Sequence, residues 1–205
     1  MKIRLTKNYG TSGGYALHAL PFILTLALFN AGSLWAASGT WNGSQNAEWT
    51  NDANWSGSSY PSGGETATFD NAGNGNISIS VAGLSSLLNM TFTGSSVESY
   101  TIGSPGQKIT LLAGSEILLA ADAANSQNIM ADLEMPTGTS PFTFRNDNPE
   151  RTLTLERIHG YTVGGVNKSM YFDGSGPIVV NDLDNMASDV YIYHRTTSTV
   201  DLAGD

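Results

Sequence analysis

Two groups of residues in this 205-residue chain have the types and spacing for chemistry, one near its start and one near its end. Three of the four tryptophans, Trp41, Trp49 and Trp55, crowd into one short stretch. An indole is amphipathic, so it can stack on a pyranose ring or cover apolar surface equally well. Ligand stacking by Trp41, Trp49 and Trp55 therefore stands beside a packing role, and packing is the simpler reading. Near the other end lie Asp173, Asp182, Asp184 and Asp189. In Asp182-Leu183-Asp184 a strand would send both acids to one face, a pair of oxygen ligands of the kind calcium takes. The glycine of a calcium loop does not follow, and no Gly-Gly-x-Gly-x-Asp repeat occurs, so solvated acids are the plainer expectation.

No catalytic set emerges. His159 precedes a glycine in an expected turn and His194 ends an expected strand, with no His-x-x-x-His or Glu-flanked pair at metal-binding spacing. Neither a Gly-x-Ser-x-Gly elbow nor a phosphate-cradling Gly-x-x-x-x-Gly-Lys loop is found. Arg145, Arg151, Arg157, Lys168 and Arg195 supply the basic residues that a polysaccharide-cleaving groove would combine with acids, yet they form no recognisable motif. The absence of cysteine excludes disulfides, thiolate metal sites and a cysteine nucleophile.

The elements that must position these residues are β-strands. Charged residues make up 13% of the chain, against roughly 25% in ordinary globular chains, while 23 glycines accompany abundant Ser, Thr and Asn. Helical surfaces need Glu, Lys and Arg, whereas this mixture builds strands and tight turns. Eight short runs place two apolar residues around an outward one: Met90–Phe92, Tyr100–Ile102, Ile109–Leu111, Phe142–Phe144, Leu153–Leu155, Ile178–Val180, Val190–Ile192 and Val200–Leu202. This is the period-2 mark of half-buried strands, and Thr is the central residue in five of them. Ser115–Ala124 has the composition of a helix, but Glu116–Leu119 fits a continued strand better. Turn residues separate the runs, as in Gly73–Asn76, Ser104–Gly106, Asn146–Pro149 and Asp173–Pro177. The pattern predicts an all-β fold, a β-solenoid with a β-sandwich as the alternative. Strand starts spaced by roughly 8 to 20 residues show no strict repeat that would decide between them.

Residues 1–38 read as a secretory signal peptide: basic Lys2, Arg4 and Lys7, an apolar run over 19–29, then small residues up to Ser38. The apolar run is short of the roughly 20 residues a membrane span needs, and no later segment is apolar enough. Cleavage after Ala36 or Ser38 would remove three of the 9 Lys and Arg and none of the 18 Asp and Glu, taking the net charge from −9 to −12. Such a chain is a poor partner for nucleic acid or an anionic bilayer. The final Val200-Asp201-Leu202-Ala203-Gly204-Asp205 reads as a strand running into a turn whose return is missing, as in a fragment of a larger protein.

The head at 39–70 resembles the start of bacterial autotransporter-associated β-strand repeat proteins. The residues that carry the resemblance are Trp41-Asn42-Gly43, Trp49, Asn54-Trp55, Pro61 and Ala67-Thr68-Phe69, followed by Ile77–Val81 and Leu87–Phe92. Thr199–Asp205 is similar to the opening of one repeat unit of that family. The resemblance implies a secreted or surface-displayed passenger with a right-handed β-helix, and it supplies no catalytic residues. The resulting expectation is a Trp-rich cap over 39–70, a solenoid segment over 71–205, and a non-catalytic structural or adhesive role at a bacterial surface. Its partners would be surface glycans or other cell-surface proteins, with no cofactor beyond the calcium reading. A carbohydrate-active β-helix enzyme and a carbohydrate-binding module are the alternatives.

Overall fold

The computed structural model describes residues 38–136, 141–160, 168–184 and 190–203. The signal segment expected over 1–38 lies outside them but for Ser38, as does Asp189. The strands are β1 (Gly39–Thr40), β2 (Gly63–Phe69), β3 (Ser78–Ile79), β4 (Ser86–Phe92), β5 (Thr101–Ile102), β6 (Lys108–Leu119) and β7 (Gln127–Met135). They continue with β8 (Phe142–Asn146), β9 (Leu153–Gly160), β10 (Lys168–Gly174), β11 (Ile178–Asp184), β12 (Val190–His194) and β13 (Val200–Leu202). All eight apolar-alternating runs fall in or against these strands, and Glu116–Leu119 is strand rather than helix. Among the described residues, no helix is long and apolar enough to cross a membrane.

The strands pair with strands one coil away, and every ladder between them is parallel. A β-sandwich needs antiparallel hairpins and Greek keys, so the register decides for a β-solenoid. Among the described residues the antiparallel bridge, Trp41 to Trp55, belongs to the head rather than to the stack.

Three ladders run along the stack. On the first face Thr68 lies beside Thr91, Thr91 beside Leu118, Leu118 beside Arg145 and Arg145 beside Asp173. On the second, Ile79, Ile102, Ile129, Leu155, Val180 and Leu202 form one column. On the third, Ile109, Leu133, Ile158 and Leu183 follow one another. The repeating unit is thus a coil of three short strands, about 25 residues around, within the span usual for stacked repeats. Its length varies because the turns between faces differ, and that variation hides the period in the sequence.

Inward side chains fill the coil. In the second-face column every residue from Ile79 to Val180 is buried, and each such aliphatic burial stabilises by about 1.5–3 kcal/mol. On the first face Phe69 stacks on Phe92, with centroids 4.9 Å apart and planes 19° from parallel, and Phe144 stacks on Phe172. The central threonines of the runs, Thr91, Thr101, Thr110, Thr143 and Thr154, are half-buried on the outside. Two of the buried polar side chains, Asn146 and Asn148, brace the chain beside the ladders. Asn146 donates to the carbonyls of Arg151 and Pro177, and Asn148 donates to those of Ala121 and Ala123.

Candidate functional site

The tryptophan head folds around a 3-10 turn at Asp52–Asn54, which the Asn51 side chain caps by accepting from the Ala53 N–H. Asn54 is buried and fully engaged. Its Oδ1 accepts from the Gln45 and Asn46 N–H groups, and its Nδ2 donates to Asn46 Oδ1 and the Glu48 carbonyl. The Trp-x-Gly element has a steric reason: Gly43 has φ +56°, and a Cβ there would lie 2.2 Å from the Gly73 carbonyl oxygen. These constraints turn all three indoles inward.

Trp41 and Trp49 are fully buried, and Trp55 is 3% exposed. Trp55 meets Trp41 and Trp49 edge-on at 5.1 and 4.7 Å, and Phe69 of β2 lies within 6.4 Å of all three rings. Each indole N–H is used internally: Trp41 donates to the Asn76 carbonyl, Trp49 to that of Pro61 and Trp55 to that of Trp49. A sugar has no open indole face to stack on in this arrangement. Tyr100 completes the cluster against Phe69 and donates its hydroxyl to the Asn71 carbonyl. Burial pushes its phenol pKa well up, and the carboxylates of Asp70 and Glu98 add to the shift.

The ionisable side chains form ladders on the outside of two faces. On the third face Lys108, Asp132, Arg157 and Asp182 occupy one column, so charges alternate in sign from coil to coil. The neighbouring column holds Thr110, Glu134, His159 and Asp184. Opposite charges directly across a ladder stabilise it, and like charges would destabilise it. Arg157 Nε donates to Asp182 at 2.6 Å, and the guanidinium also lies 3.7 Å from Asp132 and 3.9 Å from Asp184. That hydrogen bond to Asp182, with the surrounding carboxylates, raises the Arg157 pKa further. His159 Nδ1 lies 3.1 Å from Asp184, and Lys108 Nζ lies 2.5 Å from Glu134.

The structure therefore brings Asp182 and Asp184 to one outer face, as the strand pattern predicts, and sets a guanidinium between them. Among the described residues, no group of three or more His, Cys, Asp or Glu side chains is placed to hold a metal ion. A shallow groove beside the ladder is lined by Pro105, Gly106, Asp132, Glu156, Arg157 and Asp182. Its two aspartates face the same guanidinium, and Glu156 accepts from the Asn181 amide.

The remaining candidates are scattered. Arg145 pairs with Asp147 on β8 and the loop after it, and Arg151 donates to the Ala124 carbonyl. Asp173 is bonded through both oxygens by Arg195, whose guanidinium also lies 4.0 Å from the centre of the Tyr171 ring. His194 is in β12, in register with Phe172. Lys168 begins β10.

An aromatic patch around Tyr171 is not among the candidates drawn from the sequence. The Tyr171 and Tyr193 rings stack at 4.8 Å with planes 14° apart, and Tyr191 and Tyr193 are 49% and 42% exposed. Its sequence signal is Tyr-x-Tyr in β12 one coil after Tyr171, visible only once the pairing of β10 with β12 is known. Comparison with protein-family models, curated proteins and solved structures finds no match to this chain.

Proposed function

We propose that the chain is the exported, non-catalytic part of a surface-displayed bacterial passenger, with residues 1–38 as the signal peptide and a right-handed coil stack as the displayed body. The observation that carries this reading is the closed tryptophan head. It consumes the chain's densest aromatic group in covering the first coil, a need that every stacked-repeat protein has at its ends. The alternating ladders support it further, because the acids and bases outside the coil neutralise one another rather than converge on a reacting atom. Display is then the mechanism: a stack of coils holds outward side chains at fixed spacing, about 4.8 Å from coil to coil.

Expression of the full chain in a Gram-negative host tests the reading. The expected product begins at Ala37 or Gly39, is recovered outside the cytoplasm, and leaves a panel of polysaccharides uncut. Retention of residues 1–38 on a cytoplasmic product would overturn export, and cleavage of any polysaccharide by the purified chain would favour the carbohydrate-active alternative.

A further inference from the structure

We propose that the third face is a docking surface for a second copy of this chain, turned end for end about a two-fold axis that runs along the strands in the plane of contact. Such a contact goes beyond the display reading and does not depend on it. The face carries two outward columns. Read from coil to coil, the first is Lys108, Asp132, Arg157 and Asp182, and the second is Thr110, Glu134, His159 and Asp184. A two-fold axis of that orientation reverses the order of the coils and keeps each column opposite its own copy. Lys108 then faces the second copy's Asp182, and Asp132 faces its Arg157. Both pairs recur with the copies exchanged. In the second column Glu134 faces His159, and Thr110 brings a hydroxyl donor to Asp184. The first column is self-complementary because its four members alternate in sign at equal steps of one coil, about 4.8 Å.

Charge selects both this orientation and this partner. Turning the second copy about the coil axis instead would set one column against the other. Asp132 would then oppose Glu134, and Asp182 would oppose Asp184, each clash made twice. A partner of another kind would have to carry the reversed charge sequence at the same spacing, whereas a second copy has it by symmetry. The side chains of Lys108 and Arg157 are 61% and 43% exposed, so their charged ends reach past the sheet. Pairing within the chain, of Lys108 with Glu134 and of Arg157 with Asp132 and Asp182, holds these side chains in place and reduces the freedom lost on contact. The face is small, four coils high with its two columns about 7 Å apart. The contact therefore belongs to the weak class, below about 1,200 Å² in total, and is sensitive to salt.

Sedimentation equilibrium of the full chain is the test. In about 0.02 M salt the average mass should rise with concentration from monomer towards dimer, and about 0.5 M salt should suppress the rise. Arg157→Asp and Asp132→Arg each set like charges opposite one another twice, so each alone should weaken self-association at least about tenfold. An equal mixture of these two variants should recover it, because every facing pair in the first column of the mixed dimer is again of opposite sign. Circular dichroism should show both variants folded. Lys108→Glu, at the most exposed member of the column, should weaken association in the same way and serves where either of the others does not fold. A mass that stays monomeric in low salt would overturn the proposal, as would a mixture no more associated than its components. Self-association that Arg157→Asp or Lys108→Glu leaves unchanged would also overturn it, since the contact would then lie elsewhere, as on the exposed side chains of β12 and β13.

Discussion

At the first coil Trp41 and Trp49 are completely buried, whereas in β12 and β13 Ile192 and Leu202 are 42% and 39% exposed. Yet Ile192 lies in register with Met170, and Leu202 with Val180, and both of those neighbours are buried. Residue type and strand position match in each column, and the difference lies in what is stacked beyond. In a solenoid an inward side chain is buried by the coils on either side of it as much as by its own. The head supplies that second layer through three indoles, a bonded asparagine and a turn closed by Gly43. Among the described residues, nothing equivalent lies over β12 and β13.

The largest contrast between the two regions should come from truncating one anchor in each. Trp49→Ala removes a buried ring and orphans the Pro61 carbonyl, so urea unfolding should show a loss of about 3–5 kcal/mol. Ile192→Ala should cost well under about 1 kcal/mol in the same assay, because much of its surface is already wet. Equal losses would break the comparison.

Gly43→Ala sharpens the contrast from the backbone side. It places a Cβ against the Gly73 carbonyl at positive φ, and a loss of about 1–3 kcal/mol in thermal or urea unfolding is expected. A neutral result would mean that the head can relax, and that its tight closure is not what seals the coil.

Tyr100 makes the sealed end pH-sensitive in a definite direction. Its phenol is harder to ionise in the fold than in the unfolded chain, so above about pH 10 the unfolded state binds fewer protons than the native state. The stability from Tyr100 is thus fully present below that pH and falls as the pH rises. Unfolding measured from pH 8 to 11 should show this fall, and Tyr100→Phe should flatten it at a cost of about 0.5–1.5 kcal/mol at neutral pH.

The smallest effect is expected outside the core. Arg157→Gln leaves Asp132, Asp182 and Asp184 without their shared cation. The melting temperature should drop slightly in low salt, and the difference from wild type should shrink as salt screens the ladder. A large, salt-independent drop would instead assign Arg157 a packing role.

Much of this architecture is legible in the sequence. Alternation marks the strands, since Thr is favoured on a wet strand face and an aliphatic residue on each side of it on the dry one. Trp41, Trp49 and Trp55 mark the head in the sequence, but not its closure, because an indole suits a sugar face and an apolar lid alike. The parallel register is not legible, because the steps from Ile79 to Ile102, from Ile102 to Ile129 and from Ile129 to Leu155 are unequal, and such variation blurs any fixed period. The alternating ladder is nearly regular, but it is hidden for another reason: Lys108, Asp132, Arg157 and Asp182 differ in type and sign, so they look unrelated until the coil length is known. The Asp182-Leu183-Asp184 pair is legible as two acids on one face. Its partner Arg157, one coil earlier in the chain, is not.

The coil register itself is the central claim, and a distance series measures it most directly. The chain contains no cysteine, so spin labels can be attached at introduced cysteines without background. With one label at Thr68 and the second at Thr91, Leu118 or Arg145, the backbone separations should grow by about 4.8 Å at each step. An even progression of that size across these residues is the predicted result. Separations that jump irregularly, or that shrink between Leu118 and Arg145, would contradict the parallel coil stack.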